Sequence, residues 1–126
     1  MDDKKYLKLN DIDAYRVAFH LSNCVWDEVI GWDYFAKDTV GKQFVKAIDS
    51  VSANIAEGFG RYHKKDKVKF YRYASGSLKE CLDWNEKSKV RKLIGQAAYE
   101  DFFTQLELLP KLINQLIKYT NQMLKI

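Results

Sequence analysis

At 126 residues, with 47% hydrophobic and 30% charged side chains, the chain has enough apolar material for one core and too little for two. No window approaches the roughly 18 consecutive apolar residues of a membrane span, and the opening MDDKKYLKLNDIDAY has no apolar signal-peptide run; a cytoplasmic protein without membrane contact is expected. The formal net charge of +4 is unevenly placed, because residues 61–92 hold eleven Lys or Arg against four Asp or Glu, a net of +7 that leaves −3 elsewhere.

Apolar residues recur with a period near 3.6 along almost the whole chain, which predicts an all-α fold. The first helix is expected over about 11–32, capped by Asn10 or Asp11, with Tyr15, Ala18, Ser22, Val25, Val29 and Trp32 as its stripe, widened by Phe19 and Trp26. A second runs from about 38 to 60, with Phe44, Ile48, Val51, Ile55 and Phe59 inward and Gly58 and Gly60 supplying its end. The third, about 66–91, turns Phe70, Tyr71, Ala74, Leu78, Cys81, Leu82 and Asn85 to the core. The fourth, about 96–124, carries Tyr99, Phe102, Leu106, Leu109, Ile113, Leu116, Thr120 and Leu124 on one face. Pro110 lies inside it, predicting a kink or two shorter helices. Four such helices joined by short loops make, most simply, an antiparallel up-down-up-down four-helix bundle, a single domain over residues 1–126.

The second helix has another stripe besides its core face. Gln43, Ala47, Ser50, Asn54, Glu57 and Arg61 follow one another at spacings of 4, 3, 4, 3 and 4, and the third helix answers with Tyr73, Ser77, Glu80 and Trp84. A hairpin turning near residues 63 and 64 gives partners whose numbers sum to about 127, setting Ser50 near Ser77, Asn54 near Tyr73 and Ala47 near Glu80. A glycine inside a helix costs roughly 1 kcal/mol relative to alanine, so Gly76, beside Ser77, is expected to permit a close helix approach. This seam of small and polar residues reads as a hydrogen-bonded layer between helices or subunits. Trp26, Trp32, Tyr73 and Trp84 exceed what one bundle interior covers, which points to a homo-oligomer.

An enzymatic reading would use Glu57 or Glu80 as acid or base. Inward-facing metal sites in bundles pair such carboxylates with a His three residues on, and the two histidines, His20 and His63, lie elsewhere. Cys24 and Cys81 match no metal or redox spacing and read as free thiols. Gly58 and Gly60 follow a helix instead of opening one, so they make no phosphate cradle. No enzyme, cofactor, metal or small-molecule substrate is expected.

The stretches SVSANIAEGFGR and FYRYASGSLKE resemble the paired motifs of the four-helix-bundle proteins encoded in intervening sequences of 23S ribosomal RNA genes, the S23-type bundle proteins. The likeness rests on Ser50, Asn54, Ile55, Ala56, Glu57, Gly58, Gly60, Arg61, Phe70, Ala74, Gly76, Ser77 and Glu80, with Gln43 upstream, over roughly residues 40–85. It implies an antiparallel bundle assembled as a five-membered ring, with no enzymatic activity assigned. It also implies a link to nucleic acid, through similarity in fold to accessory proteins of diversity-generating retroelements.

The cations Arg61, Lys64, Lys65, Lys67, Lys69 and Arg72 surround the predicted turn between the second and third helices, with Tyr62 as a stacking ring. They suit sequence-tolerant binding of RNA or DNA. Lys87, Lys89, Arg91 and Lys92 lie roughly 36 Å away at 1.5 Å per residue and read as cations at a helix C-terminus. The alternative is a scaffold that docks a partner polypeptide and uses its charge for solubility.

Overall fold

The computed structural model describes residues 7–124; the ends of the expected 1–126 domain, and the first six residues on which the signal-peptide reading partly rests, lie outside them. Among the described residues the fold is all-helical, without strands. After a 3₁₀ turn at Leu9–Asp11 come α1 (Asp13–Val29), a short α2 (Tyr34–Ala36), a π-turn (Lys37–Gly41), α3 (Lys42–Gly60), α4 (Lys64–Val90) and α5 (Gln96–Met123). Because α2, the π-turn and α3 adjoin without a break, they form one rod, and four rods pack together. Among these, α3 packs on α4, α1 on α3 and α5, and α4 on α5.

Each boundary has a local cause. Asn10 and Asp11 do not cap α1: the Asp11 carboxylate accepts the Lys8 N–H within the 3₁₀ turn, and the α1 N-cap is Ile12, without a side-chain bond. The first rod stops at Val29, three residues short of expectation, although Trp32 folds back to donate its indole N–H to Glu28 at 3.2 Å. The second rod begins earlier than expected, at Tyr34, because Asp33 accepts the Ala36 N–H at 3.0 Å as an N-cap. The π-turn then shifts the helical phase, and Lys42 N–H reaches back to the Lys37 carbonyl. α5 runs through Pro110 as one helix, so the two-helix alternative does not hold.

The core is one cluster drawn from all four rods. Leu21, Val25, Phe44, Ile48, Val51, Ile55, Tyr71, Leu78, Leu106, Leu109 and Ile113 are its fully buried large side chains. Phe44 meets Phe102 edge to face at 6.2 Å between ring centroids. Burying an aliphatic or aromatic side chain of this kind stabilises by about 1.5–3 kcal/mol, so these contacts hold the rods together. Within α1 the expected stripe holds at Ala18, Ser22, Val25 and Val29, all buried, but it widens on the side of Ala14 and Leu21, whereas Phe19 and Trp26, expected to widen it, are each 52% exposed.

Two glycines mark close approaches. A Cβ at Gly41 would lie 2.6 Å from Val29 Cγ1, and one at Gly58 would lie 2.7 Å from Tyr71 Cε1 and 2.9 Å from the Lys67 carbonyl oxygen. Gly58 is therefore where α3 meets α4, and it does not end α3. Gly76 is not such a site within the chain: it is exposed, and a Cβ there would meet nothing within 4 Å.

Candidate nucleic-acid interface

The connection from α3 to α4 is short. Arg61 leaves the helix in an extended conformation and α4 starts at Lys64. The last carbonyls of α3 would lack intrahelical donors, and Lys67 supplies one, its ammonium donating to Phe59 O at 2.7 Å and Gly58 O at 3.5 Å. Burial lowers the Lys67 pKa from its ordinary value. Lys64 does the same for α5, donating to Leu124 O at 3.1 Å and Asn121 O at 3.5 Å. Arg61 pairs with Glu57 at 2.7 Å and lies 4.5 Å from the centre of the Phe70 ring. Three of the six cations assigned to the patch are thus engaged by the fold.

The other three differ. Lys65, Lys69 and Arg72 are exposed and make no ion pair among the described residues. Their spacing of four and three puts them on one face of α4, with Lys69 5.5 Å from the Phe70 ring centre. Tyr62 is 74% exposed and packs edge-on against His63. This face is an open cationic strip with an aromatic ring at one end.

The seam lies beside it on the α3 and α4 surface. Ser50 donates to Ser77 Oγ at 2.7 Å, the partnership expected from the hairpin register, and Asn54 donates to Ser50 O at 2.8 Å. Gln43, Glu57, Tyr73, Gly76 and Glu80 are exposed, and Ser50, Asn54 and Ser77 half-buried, so the chain closes the seam only in part. Trp32 and Trp84 are half-buried against the core, whereas Tyr73 is 52% exposed.

At the far end of α4 the second basic group closes the helix. Lys92 adopts the left-handed conformation with φ of 62°, its N–H bonding Lys89 O at 3.0 Å, while Leu93 N–H bonds Ser88 O at 2.8 Å. These are the two bonds of a Schellman motif with lysine where glycine usually sits. Lys87 pairs with Asp83 at 2.7 Å and lies 4.6 Å from the Trp84 ring centre; the Lys89 ammonium sits 4.4 Å from that of Tyr99. Next to this end, between the α2 segment and α4, opens a groove of about 720 Å³ whose lining includes Phe35, Gln43, Trp84 and Arg91. Sequence reasoning missed it, because DYFAKD reads as a loop and a π-turn has no periodic signature.

Neither thiol lies in that groove. Burial pushes Cys81 up to about 12, and burial with the nearby Asp101 and Asp27 charges raises Cys24, whose sulfur lies 3.4 Å from His20 Nε2. Both cysteines are free. Among the described residues no group of three or more His, Cys, Asp or Glu side chains is placed to hold a metal ion. No helix there is long and apolar enough to cross a membrane.

A family model described as 23S rRNA-intervening sequence protein matches residues 10–115. Among solved structures, the chain is similar in fold to the crystal structure of a protein of unknown function from the S23 ribosomal protein family of Bacteroides thetaiotaomicron VPI-5482. The TM-score is 0.72 at 17% identity, covering 82% of this chain and 97% of that one. No curated protein matches.

Proposed function

The chain belongs to the 23S rRNA-intervening sequence protein family, and on that premise we propose that it is a non-enzymatic, ring-forming bundle that binds RNA or DNA without reading base sequence. It works in the cytoplasm as an antiparallel up-down-up-down bundle. The contacts between Ser50 and Ser77, Gly58 and Tyr71, Asn85 and Tyr99, and Lys64 and Leu124 support that order.

The observation that carries the reading is the strip of Lys65, Lys69 and Arg72, exposed and, among the described residues, without carboxylate partners, beside cations that the fold has already engaged. Unpaired cations on one face attract a polyanion through its phosphates, and such attraction is indifferent to base sequence. The ring, five-membered by the family resemblance, is supported by the half-open seam and by exposed Tyr73 and Trp26. Repetition of the strip around an axis multiplies its effect, because linked weak contacts act at high effective concentration.

The test is charge reversal of Lys65, Lys69 and Arg72 together to Glu. Lys64 and Lys67 are left alone because they hold helix ends. Binding of generic duplex nucleic acid at low salt should be abolished and that of single strands weakened, with sedimentation of the oligomer unchanged. A parent protein that binds neither, or a variant that binds as the parent does, overturns the reading and leaves the partner-docking scaffold in front.

A further inference from the structure

We propose that the groove between the α2 segment and the end of α4 receives an unstacked base of a single-stranded nucleic acid, whose phosphates lie along the cations of residues 87–92. The proposal rests on the nucleic-acid reading above but concerns a different surface, at the other end of α4.

A base needs a flat apolar wall, and Trp84 and Phe35 both line the groove, Phe35 being 76% exposed. At about 720 Å³ the groove falls within the range of roughly 300–1,000 Å³ typical of small-ligand sites. Stacking on aromatic side chains is how proteins hold single strands without sequence preference, since every base has a π-face. The Gln43 side chain, also in the lining, offers an amide donor and acceptor to a base edge.

Charge argues for a strand over an uncharged ring. Residues 87–92 carry Lys87, Lys89, Arg91 and Lys92 with no carboxylate among them, and Arg91 lines the groove. Arg91 and Lys92 make no ion pair among the described residues, whereas Lys87 is held by Asp83. Two carboxylates face the same groove, Asp33 and Asp38, and both are engaged: Asp33 accepts the Ala36 N–H and Asp38 pairs with Lys42 at 3.6 Å. A row of cations beside an aromatic slot matches a repeated phosphate with a base on each unit. A duplex presents the phosphates but keeps its bases stacked, so the groove selects single strands.

The backbone that carries the groove wall is held by local contacts. Thr39 donates to Phe35 O at 2.6 Å, and Gly41 sits so close to Val29 that no Cβ fits between them. π-turns of this kind occur frequently at functional sites.

The experiment follows fluorescence anisotropy of a labelled oligothymidylate of about ten nucleotides, and of a duplex of equal length, at low salt. Four proteins are compared: the parent, Phe35→Ser, Arg91→Gln with Lys92→Gln, and the Lys65, Lys69 and Arg72 charge reversal. Phe35 is exposed, so its variant is expected to fold, and the Arg91 and Lys92 change tests the same groove through charge. Phe35→Ser should weaken the single strand by about tenfold, the scale of one lost base stack, and leave the duplex unchanged. The Arg91 and Lys92 variant should weaken the single strand more than the duplex. Charge reversal on the first strip should abolish duplex binding and weaken the single strand. Unchanged single-strand affinity in both groove variants overturns the groove proposal alone, as does a parent that binds duplex but not the single strand. A parent that binds neither form overturns this proposal and the proposed function together, and tight binding of an acidic aromatic peptide in its place assigns the groove to a protein partner.

Discussion

At Gly58 a methyl group would press within 2.7 Å of the Tyr71 ring and 2.9 Å of a backbone oxygen; at Gly76 it would meet nothing. Overpacking of a tight contact costs typically 1–3 kcal/mol, and relieving a helix-interior glycine returns roughly 0.5–1 kcal/mol. Thermal or denaturant unfolding should therefore show Gly58→Ala destabilised by about 1–3 kcal/mol and Gly76→Ala unchanged or more stable. Equal effects at the two sites would contradict the packing described. In sequence, the cost of a glycine inside a helix points to Gly76 as the close approach. Such a cost signals that something uses the site, but not which glycine meets a neighbour within the same chain. Cations posed the same difficulty. Lys64, Lys65, Lys67 and Lys69 look alike in sequence, and only the reach of Lys64 and Lys67 to the carbonyls ending α5 and α3 separates those two from the exposed Lys65 and Lys69.

Elements were legible where their period was unbroken. The inward faces of α3 and α4 fall on Phe44, Ile48, Val51, Ile55, Tyr71, Ala74, Leu78 and Cys81 as the spacing predicts, and even polar Asn85, read as part of that face, is fully buried. Its amide donates to Tyr99 O, while its Oδ1 has no partner among the described residues. Phase failed at the second rod's beginning, where the Asp33 cap starts the helix at Tyr34 instead of about 38 and the π-turn that follows adds a residue to one turn. The end of α4 carries a testable cost. Lys92 occupies a left-handed position that disfavours any Cβ by roughly 1–2 kcal/mol, so Lys92→Gly should raise stability, by about 0.5–1 kcal/mol once glycine's extra unfolded-chain entropy is set against it. Chemical denaturation reads this directly, and a loss of stability would mean that the lysine side chain, not the backbone, secures the turn.

For the whole molecule, what the sequence showed was mainly the pairing of neighbours. Partners summing to about 127 follow from a short turn and one rise per residue, and the Ser50 to Ser77 bond meets that rule. The groove was not legible, because it is assembled from the π-turn, Trp84 near the end of α4 and the turn after it, which are distant in sequence. Nor does periodicity tell a surface left for solvent from one left for another subunit, so the half-open seam looks the same in either case. The central claim is that repeated Lys65, Lys69 and Arg72 strips bind a polyanion, and its most direct measurement is the salt dependence of affinity for generic nucleic acid. Each phosphate neutralised contributes about −0.9 to the slope of log affinity against log salt on duplex DNA. If more than one subunit engages the strand, the slope should be steeper than about −2.7, the value for three phosphates at that rate. The account also predicts that reversing the three charges removes this binding while the oligomer sediments as before. A parent slope near zero, no binding at low salt, or a slope untouched by the reversal would contradict it.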